Sequence, residues 1–234
     1  MSHLNFQPNI GNSIFPGFND NQCLMLCGYE WGFSKSDQES LLIQENTRSG
    51  VPHVFSNKAI EYGEAANGWR YDQRIIYWFE LFGHKLSQRD VGGGFERCLL
   101  QTNWCDTQNH KMDGDYWSKL LEPSQIKNFI VHIEMFRPKL IFFFGSQIIR
   151  ILQSNKVLPK FIENEGAMTE QLRFQKKEFS GRTFNIGFQS FENCKVVCFP
   201  HPSGSHGLRD DYIKLFATEI GKILQEFREY KCVL

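Results

Sequence analysis

Val196-Val197-Cys198-Phe199-Pro200-His201-Pro202-Ser203-Gly204 is the stretch on which the reading of this chain turns. A short apolar run without alternation reads as a strand buried on both faces, as in a parallel sheet. The turn residues that follow place a histidine at the carboxyl edge of that sheet, where open α/β folds hold their chemistry. Two other apolar runs end in the same way. Leu24-Met25-Leu26-Cys27 leads into Gly28-Tyr29-Glu30-Trp31-Gly32, and Cys98-Leu99-Leu100-Gln101-Thr102 leads into Asn103. A carboxylate, an amide and an imidazole, each at a strand end, are candidates for a single site.

Working outward, Leu140 to Phe144 is a further continuous apolar run, followed by Gly145-Ser146. Helical periodicity separates the runs. Ile75, Ile76, Trp78, Phe79 and Phe82 make one face of a helix from Arg70 to Phe82, which Gly83 stops. Ile126, Phe129, Ile130, Ile133 and Phe136 stripe a helix that opens at Pro123. Further helices are expected at about 146–154 and 209–230. The alternation predicts an α/β fold: a central parallel β-sheet of about four strands with helices on both faces, a three-layer α/β/α arrangement. Residues 156–192 are mixed, with room for two short strands around Gly181. Residues 1–234 read as one domain with a polar arm at 1–20, a helix from Ser36 to Glu45 and a long loop at 46–69.

Composition narrows the function classes. Lys+Arg and Asp+Glu balance at 26 each, which argues against broad non-specific DNA binding and leaves room only for a local basic groove. Arg173, Lys176, Lys177 and Arg182 cluster, but Glu170 and Glu178 dilute them, so a solvated charged hairpin is expected there. The 22 Phe, 7 Tyr and 5 Trp read mainly as core. Of the seven cysteines, Cys23/Cys27 and Cys194/Cys198 are spaced to share a strand face. Neither pair has the gap of a zinc or cluster site. Reduced thiols in a cytoplasmic protein are expected, with no metal or other cofactor and no membrane segment. Gly92-Gly93-Gly94 lacks the lysine and spacing of a phosphate loop.

In their order along the chain, the Gly28–Gly32 loop, Asn103, the Leu140–Ser146 strand and turn, and His201-Pro202-Ser203 resemble the motifs of the uracil-DNA glycosylase superfamily. The likeness spans about residues 22–215 and rests on few identities. One branch of that family reads Gly-Gln-Asp-Pro-Tyr in the first motif, and Glu30 stands at the position of its water-positioning acid. A second branch, Gly-Glu-Ala-Pro-Gly, has its acid where this chain has Tyr29. Trp31 replaces the usual proline. The resemblance implies that Glu30 and His201 are catalytic, and that Gly28, Tyr29, Trp31, Gly32, Phe55 and Asn103 contact the base, with Phe55 as the stacking ring. It further implies that Ser146, Ser203, Gly204, Leu208 and Arg209 touch DNA, with Leu208 or Arg209 filling the space of the flipped nucleotide.

The chemistry is coherent on its own terms. Cleaving an N-glycosidic bond builds positive charge on the sugar and negative charge on the departing base. A carboxylate favours the former, and a neutral imidazole donating to a pyrimidine O2 favours the latter. An asparagine amide matches the O4/N3 edge of uracil. Blander roles stay open: Glu30 as a helix cap, His201 and Asn103 as turn residues, Phe55 as core, Leu208 as the first buried position of the last helix. Asp106 and His110 are a rival acid and base. The expected activity is that of a monomeric DNA glycosylase that flips out and excises uracil or a modified pyrimidine. Gly32, where one branch has a tyrosine against the pyrimidine C5, leaves open a bulky hypermodified cytosine of phage DNA and a role in antiviral defence. A catalytically inactive DNA- or nucleotide-binding module is the alternative from another class.

Overall fold

The computed structural model describes residues 21–32, 54–87, 92–109 and 115–233. The arm at 1–20, the helix from Ser36 to Glu45, the first part of the 46–69 loop and His110 lie outside the described residues. The strands are β1 (Leu24–Gly28), β2 (Trp31–Gly32), β3 (Leu99–Asn103), β4 (Gln108–Asn109), β5 (Leu140–Phe144), β6 (Met168–Gln175), β7 (Ile186–Phe191) and β8 (Lys195–Phe199). The helices are α1 (Ala59–Tyr62), α2 (Arg70–Leu81), α3 (Gly94–Arg97), α4 (Tyr116–Leu120), α5 (Pro123–Phe136), α6 (Ile148–Leu152), α7 (Leu158–Glu165), α8 (Asp210–Lys214) and α9 (Ala217–Lys231).

Six strands form one sheet in the order β3-β1-β5-β8-β7-β6. The four anticipated strands are its parallel core, with Gly28 opposite Asn103 and Phe144 opposite Phe199. The count of four is corrected to six by β6 and β7, which run antiparallel beyond β8. The reason is local: Phe191 N–H donates to the carbonyl of Cys194 at 2.8 Å, closing a turn too tight for a crossover. From β1 the chain passes first to β3 on one side and then to β5 on the other. The strand order therefore reverses at β1, and open sheets bind ligands at such a switch point.

Alternation along the strands splits the interior into two cores. Leu24, Leu26, Phe142, Phe144, Val197 and Phe199 face α2, α8 and α9. Met25, Cys27, Ile141, Phe143, Val196 and Cys198 face α5, α6 and α7. Cys23, Cys27, Cys194 and Cys198 all lie in the second core, so both cysteine pairs share a face as their spacing implied. The long C-terminal helix is broken in two. Phe216 N–H reaches back three residues to Ile213, and the tightened turn buries both side chains in the first core. No helix among the described residues is long and apolar enough to cross a membrane.

Candidate active site at the carboxyl edge of the sheet

The site is built on the first-core face, where β1, β3, β5 and β8 end. Gly28 closes β1 opposite Asn103, and the pairing continues past the strands as Trp104 N–H donates to the Gly28 carbonyl at 2.9 Å. A Cβ on Gly28 would stand 2.5 Å from Asn103 Oδ1 and 3.1 Å from the Tyr71 hydroxyl. Both polar groups therefore converge over the Gly28 Cα, which is why the position takes glycine. Among the described residues, neither the Asn103 amide nor the Tyr71 hydroxyl makes a hydrogen bond, although Asn103 is only 5% exposed. An amide and a hydroxyl that make no hydrogen bond among the described residues are available to a ligand at this edge.

His201 stands next to this pair. Its ring lies 5.2 Å from that of Tyr71 and 6.1 Å from that of Tyr29, nearly parallel to the latter. The Tyr29 ring is pressed onto Gly145, where a Cβ would fall 2.2 Å from it, and its hydroxyl accepts from Gln147 N–H at 3.1 Å. Burial holds the Tyr29 phenol protonated. Gly204 N–H donates to His201 Nδ1 at 2.8 Å, and Ser203 Oγ lies 3.4 Å from the same atom. An Nδ1 that accepts carries no proton, so the neutral ring bears its proton on Nε2. Burial pushes the imidazole down to about 4, which keeps it neutral. The turn role and the site role of His201 thus use different nitrogens.

Glu30 occupies the adjoining loop. Its side chain is 3% exposed, and Oε2 accepts from Thr107 Oγ1 at 2.8 Å and pairs with Lys119 of α4. It does not cap a following helix, because Trp31 and Gly32 form β2 against β4. Trp31 covers a buried ammonium: Lys58 lies 5.7 Å from its ring, 5.2 Å from Phe55 and 5.4 Å from Trp69, and it pairs with Asp72 at 2.7 Å. Gln101, two residues before Asn103, reaches the other Asp72 oxygen at 3.5 Å. This buried pair ties the 54–58 segment to α2 directly behind Tyr71. Desolvation lowers the Lys58 ammonium, while Asp72 opposes the shift.

Of the other expected contacts, Phe55 and Leu208 are buried in the core, and the rest are exposed or half-buried. Phe55 is 1% exposed within the first core and presents no open face to a base. Leu208 is buried in the same core, as the opening of the last helix requires. Arg209 is exposed and paired with Asp211, and Ser203 and Gly204 are exposed beside His201. Ser146 is half-buried after β5, next to Gly145. Gly32 is exposed, and a Cβ there would meet no described atom within 4 Å. Asp106 exchanges two hydrogen bonds with the Gln125 amide, a loop-to-helix tie that engages it structurally.

Three site residues escaped the sequence reading. Tyr71 and Asp72 lie on the apolar stripe of α2, four residues before Ile75 and Ile76 respectively, so polar groups on a buried face were visible as a signal. Arg74 is the third omission. Its guanidinium donates to the carbonyls of Pro202 and Leu208, each at 2.5 Å, and to Asp210 at 2.6 Å. It holds the whole His201 loop against α2. Among the described residues, no group of three or more His, Cys, Asp or Glu is arranged to hold a metal ion. No protein-family model matches the chain, and no curated protein matches it.

Proposed function

We propose that this protein is a monofunctional DNA glycosylase that takes a uracil or modified pyrimidine out of the stack, hydrolyses its bond to deoxyribose and leaves an abasic site. The observation that carries the reading is the fixed tautomer of His201 near the Asn103 amide, which makes no hydrogen bond among the described residues. A neutral imidazole with its proton on Nε2 can donate to a pyrimidine O2, while Asn103 pairs with the O4/N3 edge. As the C1′–N1 bond breaks, its electrons pass to the base, and the His201 N–H stabilises the resulting anion. Positive charge on the sugar is favoured by the Glu30 carboxylate, held through Oε2 by Thr107 and Lys119. Water adds at C1′, and the proton it gives up ends on the released base anion, completing hydrolysis. The donors are side chains, and the scheme calls on no cofactor.

Gly32, which stands where one branch of the resembled family has a tyrosine against the pyrimidine C5, carries no side chain to exclude a C5 substituent. Hypermodified cytosine of phage DNA carries one, and its excision would serve antiviral defence. Incubation with uracil-containing DNA and with glucosylated phage DNA, followed by detection of abasic sites, separates the two substrates. Release from uracil DNA alone would remove the phage-base reading. A Glu30→Gln variant that binds DNA but no longer releases base supports the enzyme. Wild type and variant equally inert on every base would make the chain a binding module.

A further inference from the structure

We infer that the tip of the β6–β7 hairpin, residues 176–185, together with Arg209, is a docking surface for the phosphodiester backbone of the DNA strand that flanks the excised nucleotide. The inference rests on the glycosylase reading and adds to it the surface that grips the substrate.

Topology delivers the tip to the right place. Gln175 pairs with Ile186 across the hairpin, and Gly187 pairs with Cys198 of β8. Because β7 runs opposite to β8, the residues that link β6 to β7 emerge at the carboxyl edge, beside the His201 loop. They are braced against it. Arg182 Nη1 donates to the His206 carbonyl at 3.0 Å, the Arg209 guanidinium lies 5.4 Å over Phe179, and the Tyr212 hydroxyl bridges Lys177 N–H and the Phe184 carbonyl. A hairpin held at so many points is not simply a solvated loop.

Its cations outnumber its acids: Lys176, Lys177, Arg182 and Arg209 stand against Glu178 on the tip and Asp211 beside it. Lys177 Nζ donates to the Leu215 carbonyl at 2.6 Å, so this cation, like Arg182, is anchored by a neutral acceptor. Lys176 is exposed and has no partner among the described residues. Among the described residues the acidic partner of Arg209 is Asp211, and both side chains are more than half exposed, so that pair contributes little. The surface continues past Arg209 into a groove of about 660 Å³ bordered by Arg70 and Tyr77 of α2. Asp210, at the same rim, is already engaged by Arg74 and the Trp78 indole. Cations strung along an edge, with guanidinium groups steadied by Phe179 and Phe184, suit a repeating anion better than a single phosphate. In a chain of zero net charge, such local positive character is what DNA would find.

The test measures affinity for a labelled DNA duplex and its single strand across a salt series. It compares wild type with Lys176→Glu, Lys176→Glu/Arg182→Glu and, as a charge-matched control on α7, Lys160→Glu. The double variant is expected to bind about tenfold more weakly at ~0.1 M salt, with the slope of log affinity against log salt reduced by roughly 0.7–0.9 for each lost phosphate contact. The single Lys176→Glu variant, which breaks no described contact, should show part of the loss, and the control none. Hairpin variants that bind like wild type, or a control that weakens equally, would overturn the inference while leaving base release to be judged separately. Failure of wild type to bind any DNA would remove the inference and the glycosylase reading together.

Discussion

The backbone N–H of Gly204 donates to Nδ1 of His201 at 2.8 Å, so the loop that carries the imidazole also fixes which nitrogen holds its proton. A Cβ on Gly204 would already sit 3.0 Å from that nitrogen, so the turn closes tightly on the ring. Protonating Nδ1 would set two donors face to face.

We therefore expect His201 to stay neutral, with the proton on Nε2, throughout the range from pH 8 down to about 5. The folded imidazole titrates near 4, below its ordinary 6.5. Its neutral form is favoured by the fold, so its stabilising contribution is complete above about 6.5 and is lost as pH falls through about 4. Nitrogen-15 NMR of labelled histidine reads both points. An imidazolium at pH 7, or an Nδ1–H tautomer, would contradict the assignment.

Gly28→Ala should act on the Asn103 amide without touching its sequence. The added Cβ would stand 2.5 Å from Asn103 Oδ1, and one of the two must move. Loss of a positioned donor at a developing anion lowers rates on the order of 10²–10³-fold. Base release by Gly28→Ala is expected to fall toward that of Asn103→Ala, with a cooperative melt retained. Full activity in Gly28→Ala would show that the amide orientation is not used.

Tyr71→Phe separates binding from stability. The hydroxyl makes no hydrogen bond among the described residues, so its removal should leave thermal stability unchanged or slightly raised. If it meets the base or sugar, base release should fall about fivefold to tenfold, the scale of one neutral hydrogen bond. Lower stability with unchanged activity would make it a packing residue.

Far from this edge, Glu165 at the end of α7 is 1% exposed, and its Oε1 has no hydrogen-bond partner among the described residues. Burial raises its carboxyl to about 7 from 4.5, against the pull of Lys139 and Arg137. The protonated form is the one the fold favours. Its contribution is complete below about 4.5 and is lost as pH rises through about 7. Glu165→Gln should flatten that decline, giving a higher denaturation midpoint than wild type at about pH 8 and a similar one at about pH 5. Parallel midpoints at both pH values would refute this.

The parallel core was legible because its strands are continuous apolar runs bounded by glycine, proline and polar turns. Leu140–Phe144 and Pro123–Phe136 stand where their patterns place them. The β6–β7 pair was harder. β6 has an exposed face and carries Glu170 and Arg173, so its pattern resembles a charged loop as much as a strand. In the site, Asn103 and His201 were readable as chemistry-bearing residues at strand ends. Phe55 and Leu208 were not separable from core, because an aromatic or aliphatic side chain near a loop carries no mark of which way it packs. Arg74 was hidden for a different reason: its partners, Pro202, Leu208 and Asp210, lie more than a hundred residues away and engage it partly through backbone carbonyls.

Release of free base, followed by mass spectrometry over a panel of uracil-containing, natural and C5-modified DNAs, bears most directly on whether Gly28, Asn103 and His201 enclose a nucleoside. Wild type should liberate a pyrimidine from at least one substrate and leave an alkali-labile abasic site. His201→Ala should lose most of that rate while still binding the same DNA. A wild-type protein that liberates no base from any of them would show that this edge of the sheet does not cleave glycosidic bonds.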